Sequence, residues 1–191
     1  MEVLSVTRMN KNVELSDGVI SLRPMADANP DEVCQAVRES LVDLKPWMAW
    51  ATEAYSIIDT RDWLAAAAEG WESGENYAFA IYDALDGRLS GGGGLNQINP
   101  YYRLGNLGYW VRSSRTGRGF APRATRLLAR FALEQLGMIR VEIVVAVGNV
   151  RSLRAAEKAG AWREGILRNR IPVGEQIYDA VMHSLIPTDF T

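Results

Sequence analysis

The chain has 191 residues, of which 48% are hydrophobic and 23% charged, a balance typical of one globular domain. Its single cysteine, Cys34, and single histidine, His183, exclude an internal disulfide and a zinc site built from His and Cys, so we predict no metal. Lys and Arg number 21 against 23 Asp and Glu, for a net charge of -2, which argues against a nucleic-acid partner. No apolar run reaches the roughly 18 residues of a membrane helix, and the first residues lack an export signal. We therefore expect a cytoplasmic protein without a membrane partner.

The first part of the chain predicts one strand and two helices. Alternating apolar residues over 19–23 indicate the strand. Asn29 is a favoured N-cap, and Pro30 suits the first turn of the helix that follows. Thr60 is the expected N-cap of the second helix, which ends near Gly74.

The rest of the chain alternates between strands and helices. The expected order is strands over residues 77–83, 89–96 and 107–112, a helix from 120 to about 137, a strand over 140–147, a helix over 151–159, and strands over 161–168 and 176–185. The first three of these strands favour an antiparallel meander, the helix from residue 120 is expected to be the longest, and a turn at 172–174 joins the last two strands. Together the elements predict an α/β fold (α+β, mixed sheet) in the order β-α-α-β-β-β-α-β-α-β-β. We expect a single domain over 1–191, in which 1–17 form an N-terminal extension.

A glycine-containing loop over residues 111–121 joins a predicted strand to the helix from residue 120. Unpaired N–H groups at a helix start can bind a phosphate, and Gly117 and Gly119 allow the backbone to approach it closely. An ordinary turn is an equally good interpretation of these glycines alone. A dinucleotide fingerprint is excluded because Pro122 stands where its third glycine is needed, and the Gly-Lys-Ser/Thr of a P-loop is absent.

A second candidate lies at Asn149 and Ser152, where the buried strand over 140–147 gives way to a helix. Both side chains could simply cap that helix. However, this segment and the glycine loop both follow strands that precede helices, which is where open α/β sheets place their ligands.

Five segments in order along the chain are SLRP, LKPWMAW, GYWVRSSRTGRGFAPRA, NVRSLRAAEKAGAWREGILR and DAVMHSL. They resemble the GNAT superfamily of acyl-CoA-dependent N-acyltransferases, in particular its RimJ/RimL branch. The resemblance implies the GNAT fold and an acetyl-CoA-dependent N-acetyltransferase. The acceptor implied is a primary amine, on a protein N-terminus or a small molecule, and a homodimer is left open.

The resemblance also implies a cofactor site. The pattern Gln/Arg-x-x-Gly-x-Gly/Ala, whose amides hold the pyrophosphate of coenzyme A, falls on Thr116, Gly119 and Ala121, with threonine in place of Gln/Arg. Asn149 would hydrogen-bond the pantetheine arm and Ser152 would lie near the sulfur. The implied cofactor residues are Val111, Arg112, Ser113, Thr116, Gly117, Arg118, Gly119, Phe120, Ala121, Asn149 and Ser152.

In the implied reaction a neutral amine attacks the thioester directly, and Ser152 is the candidate catalytic donor to the leaving thiolate. Related chains often carry a glutamate where Asn106 stands, so the base is left open between water, Glu75 and Glu53. Trp47 or Trp50 could form an apolar wall for the acceptor, although most tryptophans are expected in the core.

Other residues favour plainer interpretations. Cys34 is expected to be a small buried hydrophobe, and His183 to be structural rather than a base. The run Gly91 to Gly94 predicts a bulge or close backbone approach, with a mobile acceptor-side strand as the alternative. Two other functions remain: a coenzyme A-binding scaffold without turnover, and nucleic-acid binding through Arg112, Arg115, Arg118 and Arg123.

Overall fold

The computed structural model describes residues 13–190, which form eight strands and four α-helices. No helix in this range is long and apolar enough to cross a membrane. The elements are β1 (Leu15–Ser16), β2 (Ile20–Pro24), α1 (Pro30–Leu44), α2 (Ile57–Ser73), β3 (Tyr77–Asp83), β4 (Leu89–Asn99), β5 (Leu104–Val111), α3 (Phe120–Arg130), β6 (Arg140–Ala146), α4 (Val150–Lys158), β7 (Trp162–Val173) and β8 (Gln176–Leu185).

The eight strands form one mixed sheet in the order β1-β2-β3-β4-β5-β6-β8-β7. The β5–β6 pair is parallel and every other neighbouring pair is antiparallel. The predicted mixed sheet and the antiparallel meander β3-β4-β5 are therefore confirmed. Strand β1 was not predicted, because two residues are too few to show a period, and it falls within the expected N-terminal extension, of which 1–12 lie outside the described residues.

Helices cover both faces of the sheet, because successive residues of a strand point to opposite sides. Phe79 and Ile81 pack in one core with Leu128 of α3. Ala78 and Ala80, which alternate with them along β3, belong to a second core under α1 and α2. Cys34 is buried in this second core, as expected.

Besides shifts of up to three residues, as at the end of β4 and the start of β5, the predicted element boundaries need three corrections. Ser56, not Thr60, caps α2, because Ser56 and Asp59 form a reciprocal capping box while Thr60 is buried one turn inside the helix. The helix from Phe120 leaves α-helical geometry at Arg130 and continues as a π turn over Phe131–Gln135, so the 17-residue α2 is longer than the 11-residue α3. Strand β7 runs through Val173, which moves the predicted turn to 174–175.

The glycine run in β4 is explained by close backbone approach. A Cβ at Gly94 would overlap the carbonyl oxygen of Tyr77, and one at Gly92 would lie 2.8 Å from the indole nitrogen of Trp110. A register shift between Ile81 and Tyr82 adds a bulge beside the run. Side chains are therefore excluded here because neighbouring strands and Trp110 occupy their space.

Candidate functional site between β5 and β6

A cavity of about 710 Å³ lies where the two parallel strands separate. Strands β5 and β6 are paired from Leu104 with Arg140 to Asn106 with Glu142, and not beyond. The residues that follow, 107–111 of β5 and 143–146 of β6, line the cavity from both sides. The edge of β5 that faces β6 therefore offers backbone groups that pair with none of the described strands.

The glycine turn forms one end of this cavity. Gly117 and Gly119 have φ values of +80° and +78°, which explains why glycine stands there. Gly119 is the N-cap of α3, and the N–H groups of Gly119, Phe120 and Ala121 donate no hydrogen bond within the described chain. These N–H groups at the positive end of a helix dipole are suited to an anion. The Thr116 hydroxyl instead donates to the carbonyl of Ser113 at 2.9 Å and serves the turn itself.

The four arginines around the turn are neutralised by carboxylates. Arg112 lowers the pKa of Glu39 to about 2 through their hydrogen bond, and Arg115 and Asp83 are both buried. The basic patch suggested by the sequence is therefore paired internally. The ion pairs are Arg112 with Glu39 (2.6 Å), Arg115 with Asp83 (3.0 Å) and Asp86 (2.8 Å), Arg118 with Asp83 (3.2 Å), and Arg123 with Asp17 (2.7 Å).

Two positively charged side chains of α4 line the cavity instead. Arg154 and Lys158 line the cavity, and neither has an ion pair or hydrogen bond with another side chain in the described chain. They lie four residues apart, so they share one helix face. Sequence reasoning missed them, although their spacing on the helix capped by Asn149 was a usable signal.

Ser152 lies on the cavity wall beside a residue that was not predicted, Tyr109. The Ser152 hydroxyl donates to the Tyr109 hydroxyl at 3.1 Å, and the Tyr109 hydroxyl donates to the Ser152 carbonyl at 3.0 Å. Asn149 accepts the Ser152 N–H at 3.2 Å, so its side chain caps α4. The tyrosine and serine are 43 positions apart, and the separation of β5 and β6 brings them together.

Helix α1 holds the end of β5. The Ser113 N–H donates to the Ser40 hydroxyl at 2.9 Å, and Asp43 accepts from the Ser113 hydroxyl and from Arg151, the latter at 3.0 Å. The Arg112 N–H donates to the Ser90 carbonyl at 2.9 Å.

Of the predicted cofactor residues, the cavity brings together Val111, Thr116, Gly117, Gly119, Phe120, Ala121, Asn149 and Ser152, whereas Arg112, Ser113 and Arg118 do not line it.

The two candidate acceptor tryptophans differ in position. Trp47 lines the cavity, with its ring centroid 5.8 Å from that of Tyr178 on β8. Trp50 does not line it, but stacks on Trp63 at 6.2 Å and lies edge-on to Trp110 at 6.4 Å. Trp50 therefore contacts the lining residue Trp110 without lining the cavity itself.

No free carboxylate lines the cavity within the described chain: Asp43 is the one acidic lining residue, and it is held by Arg151. The Asn106 amide donates to Asn96 at 2.9 Å, and Glu53 and Glu75 do not line the cavity.

His183 is fully buried in β8 and does not line the cavity. Burial lowers its pKa, which favours the neutral imidazole, and the predicted burial of His183 is confirmed. Residues 13–190 contain no cluster of three or more His, Cys, Asp and Glu side chains able to hold a metal ion.

Comparisons with known proteins point to one family. Residues 20–161 match the family described as Acetyltransferase (GNAT) domain. The curated protein "Putative ribosomal N-acetyltransferase YdaF" of Bacillus subtilis is 33% identical over 105 residues, which cover 55% of this chain and 57% of that protein. The chain thus spans a little over half the length of this curated relative.

Solved structures match over nearly the whole chain. A "putative ribosomal-protein-serine acetyltransferase" from Vibrio cholerae has a TM-score of 0.81 and 27% identity, covering 94% of this chain and 100% of that one. RimL, a ribosomal L7/L12 alpha-N-protein acetyltransferase in complex with coenzyme A, shares the fold with a TM-score of 0.79 at 20% identity, covering 90% and 96%. The family match over three quarters of the sequence, together with the fold, shows that the chain belongs to the GNAT acetyltransferase family.

Proposed function

We propose that the chain binds acetyl-CoA between β5 and β6 and transfers the acetyl group to a primary amine. The observation that carries this proposal is that, within residues 13–190, backbone N–H groups without an acceptor, two cations without an ion pair and the Ser152 hydroxyl line one cavity. Phosphate groups take N–H donors at a helix start and cations nearby. The N–H groups of Gly119 to Ala121 fit the pyrophosphate, and Arg154 and Lys158 fit the remaining phosphate charge.

The apolar walls of the cavity fit the arm between the phosphates and the thioester. The free edge of β5 around Val111 would hydrogen-bond the amides of this arm, and Ser152 would lie near the sulfur. Transfer is direct: the amine attacks the carbonyl, and the Ser152 hydroxyl stabilises the sulfur that leaves. Because no described residue gives the cavity a free carboxylate, the amine proton passes to water.

The acceptor in this proposal is a protein N-terminus or a small primary amine. Trp47 would form the apolar wall against which the acceptor packs, since it lines the cavity and lies against Tyr178. The similar proteins named as ribosomal N-acetyltransferases support a peptide N-terminus as the first acceptor to test.

Release of the coenzyme A thiol tests the proposal. Acetyl-CoA is incubated with the protein and with peptides, free amino acids or polyamines, and thiol release should depend on one class of amine. Ser152→Ala should lower kcat at least about tenfold with KM for acetyl-CoA nearly unchanged. Ser73→Ala, a matched change on the exposed surface of α2, should leave both values as they were.

A second candidate is a coenzyme A-binding module without turnover. It is favoured by Asn106, which cannot accept a proton and is bound to Asn96, and by the paired state of Asp43. Tight coenzyme A binding measured by calorimetry, with no thiol release for any amine, would select this function over the transferase.

A further inference from the structure

The hydroxyl groups of Tyr109 and Ser152 form a small hydrogen-bond network at the wall of the cavity. Tyr109 belongs to β5 and Ser152 to α4, and both line the cavity. A phenol has a single hydrogen, and here Tyr109 donates it to the Ser152 carbonyl at 3.0 Å. The Ser152 hydroxyl, 3.1 Å away, must therefore donate its own hydrogen to Tyr109.

We infer that Tyr109 positions the Ser152 hydroxyl for the leaving sulfur, an inference that rests on the proposed function. When the Ser152 hydrogen turns to the sulfur, the Tyr109 hydrogen can turn from the carbonyl to Ser152 Oγ, because both oxygens are within 3.1 Å. The Ser152 carbonyl remains satisfied within α4. A hydroxyl that accepts a hydrogen bond is a better donor, so Tyr109 strengthens the bond from Ser152 to sulfur.

The relative acidity of a phenol and a thiol indicates that Tyr109 donates a hydrogen bond to Ser152 and does not give a proton to the sulfur. Burial raises the pKa of Tyr109 to about 12, so the phenol keeps its hydrogen throughout the neutral range. A thiol has a pKa of about 8.5 and is the stronger acid by more than about a thousandfold. Proton transfer from Tyr109 to a thiolate is therefore unfavourable, which makes Tyr109 a positioning residue.

The transfer step is balanced without a proton from either hydroxyl. The C–N bond forms, the C–S bond breaks with its electron pair staying on sulfur, and the amine nitrogen loses a proton to water. Ser152 donates its hydrogen bond to the negative sulfur, and Tyr109 donates to Ser152 Oγ. Because the charge on sulfur develops only as the bond breaks, these contacts lower the barrier without tightening acetyl-CoA binding.

Kinetics of Tyr109→Phe test the inference. We expect kcat to fall about tenfold, the effect of losing one hydrogen bond in the transition state, with KM for acetyl-CoA within about twofold of wild type. Tyr82→Phe is the matched control, because the Tyr82 hydroxyl has no hydrogen-bond partner in the described chain. In the Ser152→Ala background, Tyr109→Phe should cost nothing more. An unchanged kcat, or the same loss without Ser152, overturns the inference.

Binding provides a readout that needs no turnover. Calorimetry measures the affinities of coenzyme A and of its analogue lacking the sulfur at pH values below and above the thiol pKa of about 8.5. The wild-type protein should gain affinity for coenzyme A relative to the analogue, and Tyr109→Phe should lose most of that gain. Equal gains in the two proteins contradict the role of Tyr109. A normal gain without amine-dependent thiol release contradicts the proposed function alone.

Discussion

Neutralising Arg154 and Lys158 should weaken coenzyme A binding, because these side chains line the cavity without a carboxylate partner among the described residues. Both are exposed to solvent, so each contact with a phosphate contributes about 1 kcal/mol, not the larger value of a buried pair. Arg154→Gln and Lys158→Gln keep the helix propensity and remove the charge. Each should raise the Kd about fivefold, and the double variant about thirtyfold if the two effects add.

Isothermal titration of coenzyme A at low and high salt measures this effect. The affinity ratio between wild type and the double variant should shrink as salt rises, because exposed charges are screened. Arg61→Gln is the control, since Arg61 is exposed on α2 and does not line the cavity. A double variant that binds like wild type would refute the assignment of phosphate charge to α4.

Three further predictions concern stability and pH, each measured by urea unfolding. Arg115→Leu should cost about 2 kcal/mol, because it leaves the buried Asp83 carboxylate with only the half-exposed Arg118 as its partner, whereas Arg130→Leu in an exposed pair should cost less than about 1; similar costs would contradict this. The lowered pKa of His183 means that the unfolded chain binds a proton that the folded chain does not, so stability should fall below a pH of about 6.5, by up to about 1.4 kcal/mol per pH unit. His183→Leu should reduce that slope, and an equal slope would argue against the assignment. Gly94→Ala should cost about 2 kcal/mol, because its Cβ would overlap the Tyr77 carbonyl, while Gly108→Ala, which meets only Asn96 at 4.0 Å, should cost far less; equal losses would refute the steric argument.

Local patterns predicted the elements that position the site. The bounds Tyr77–Asp83 and Gln176–Leu185 agree with the predicted strands, because alternation and flanking turns are local features. The Ser56 cap was also readable, since Ser and Asp three residues apart form a capping box before an apolar run. The prediction named Thr60 instead, the later of the two residues that could cap α2.

The candidate site was predictable where it depends on backbone and unpredictable where it depends on distant pairs. The glycine turn and the Asn149 cap follow from residues next to one another in sequence. The Tyr109 and Ser152 pair depends on where two parallel strands separate, and the Arg115 and Asp83 pair joins residues 32 positions apart. The sequence therefore indicated a basic patch at the turn. In the folded chain the arginines of the turn are paired with carboxylates, and the lining cations without an ion pair in residues 13–190 are Arg154 and Lys158 of α4.

A crystal structure of the complex with coenzyme A tests the central claim most directly. We predict the pyrophosphate over the N–H groups of Gly119 to Ala121, a phosphate near Arg154 or Lys158, and the sulfur within hydrogen-bond distance of the Ser152 hydroxyl. Coenzyme A bound outside the separation of β5 and β6, or with its sulfur far from Ser152, would contradict the account.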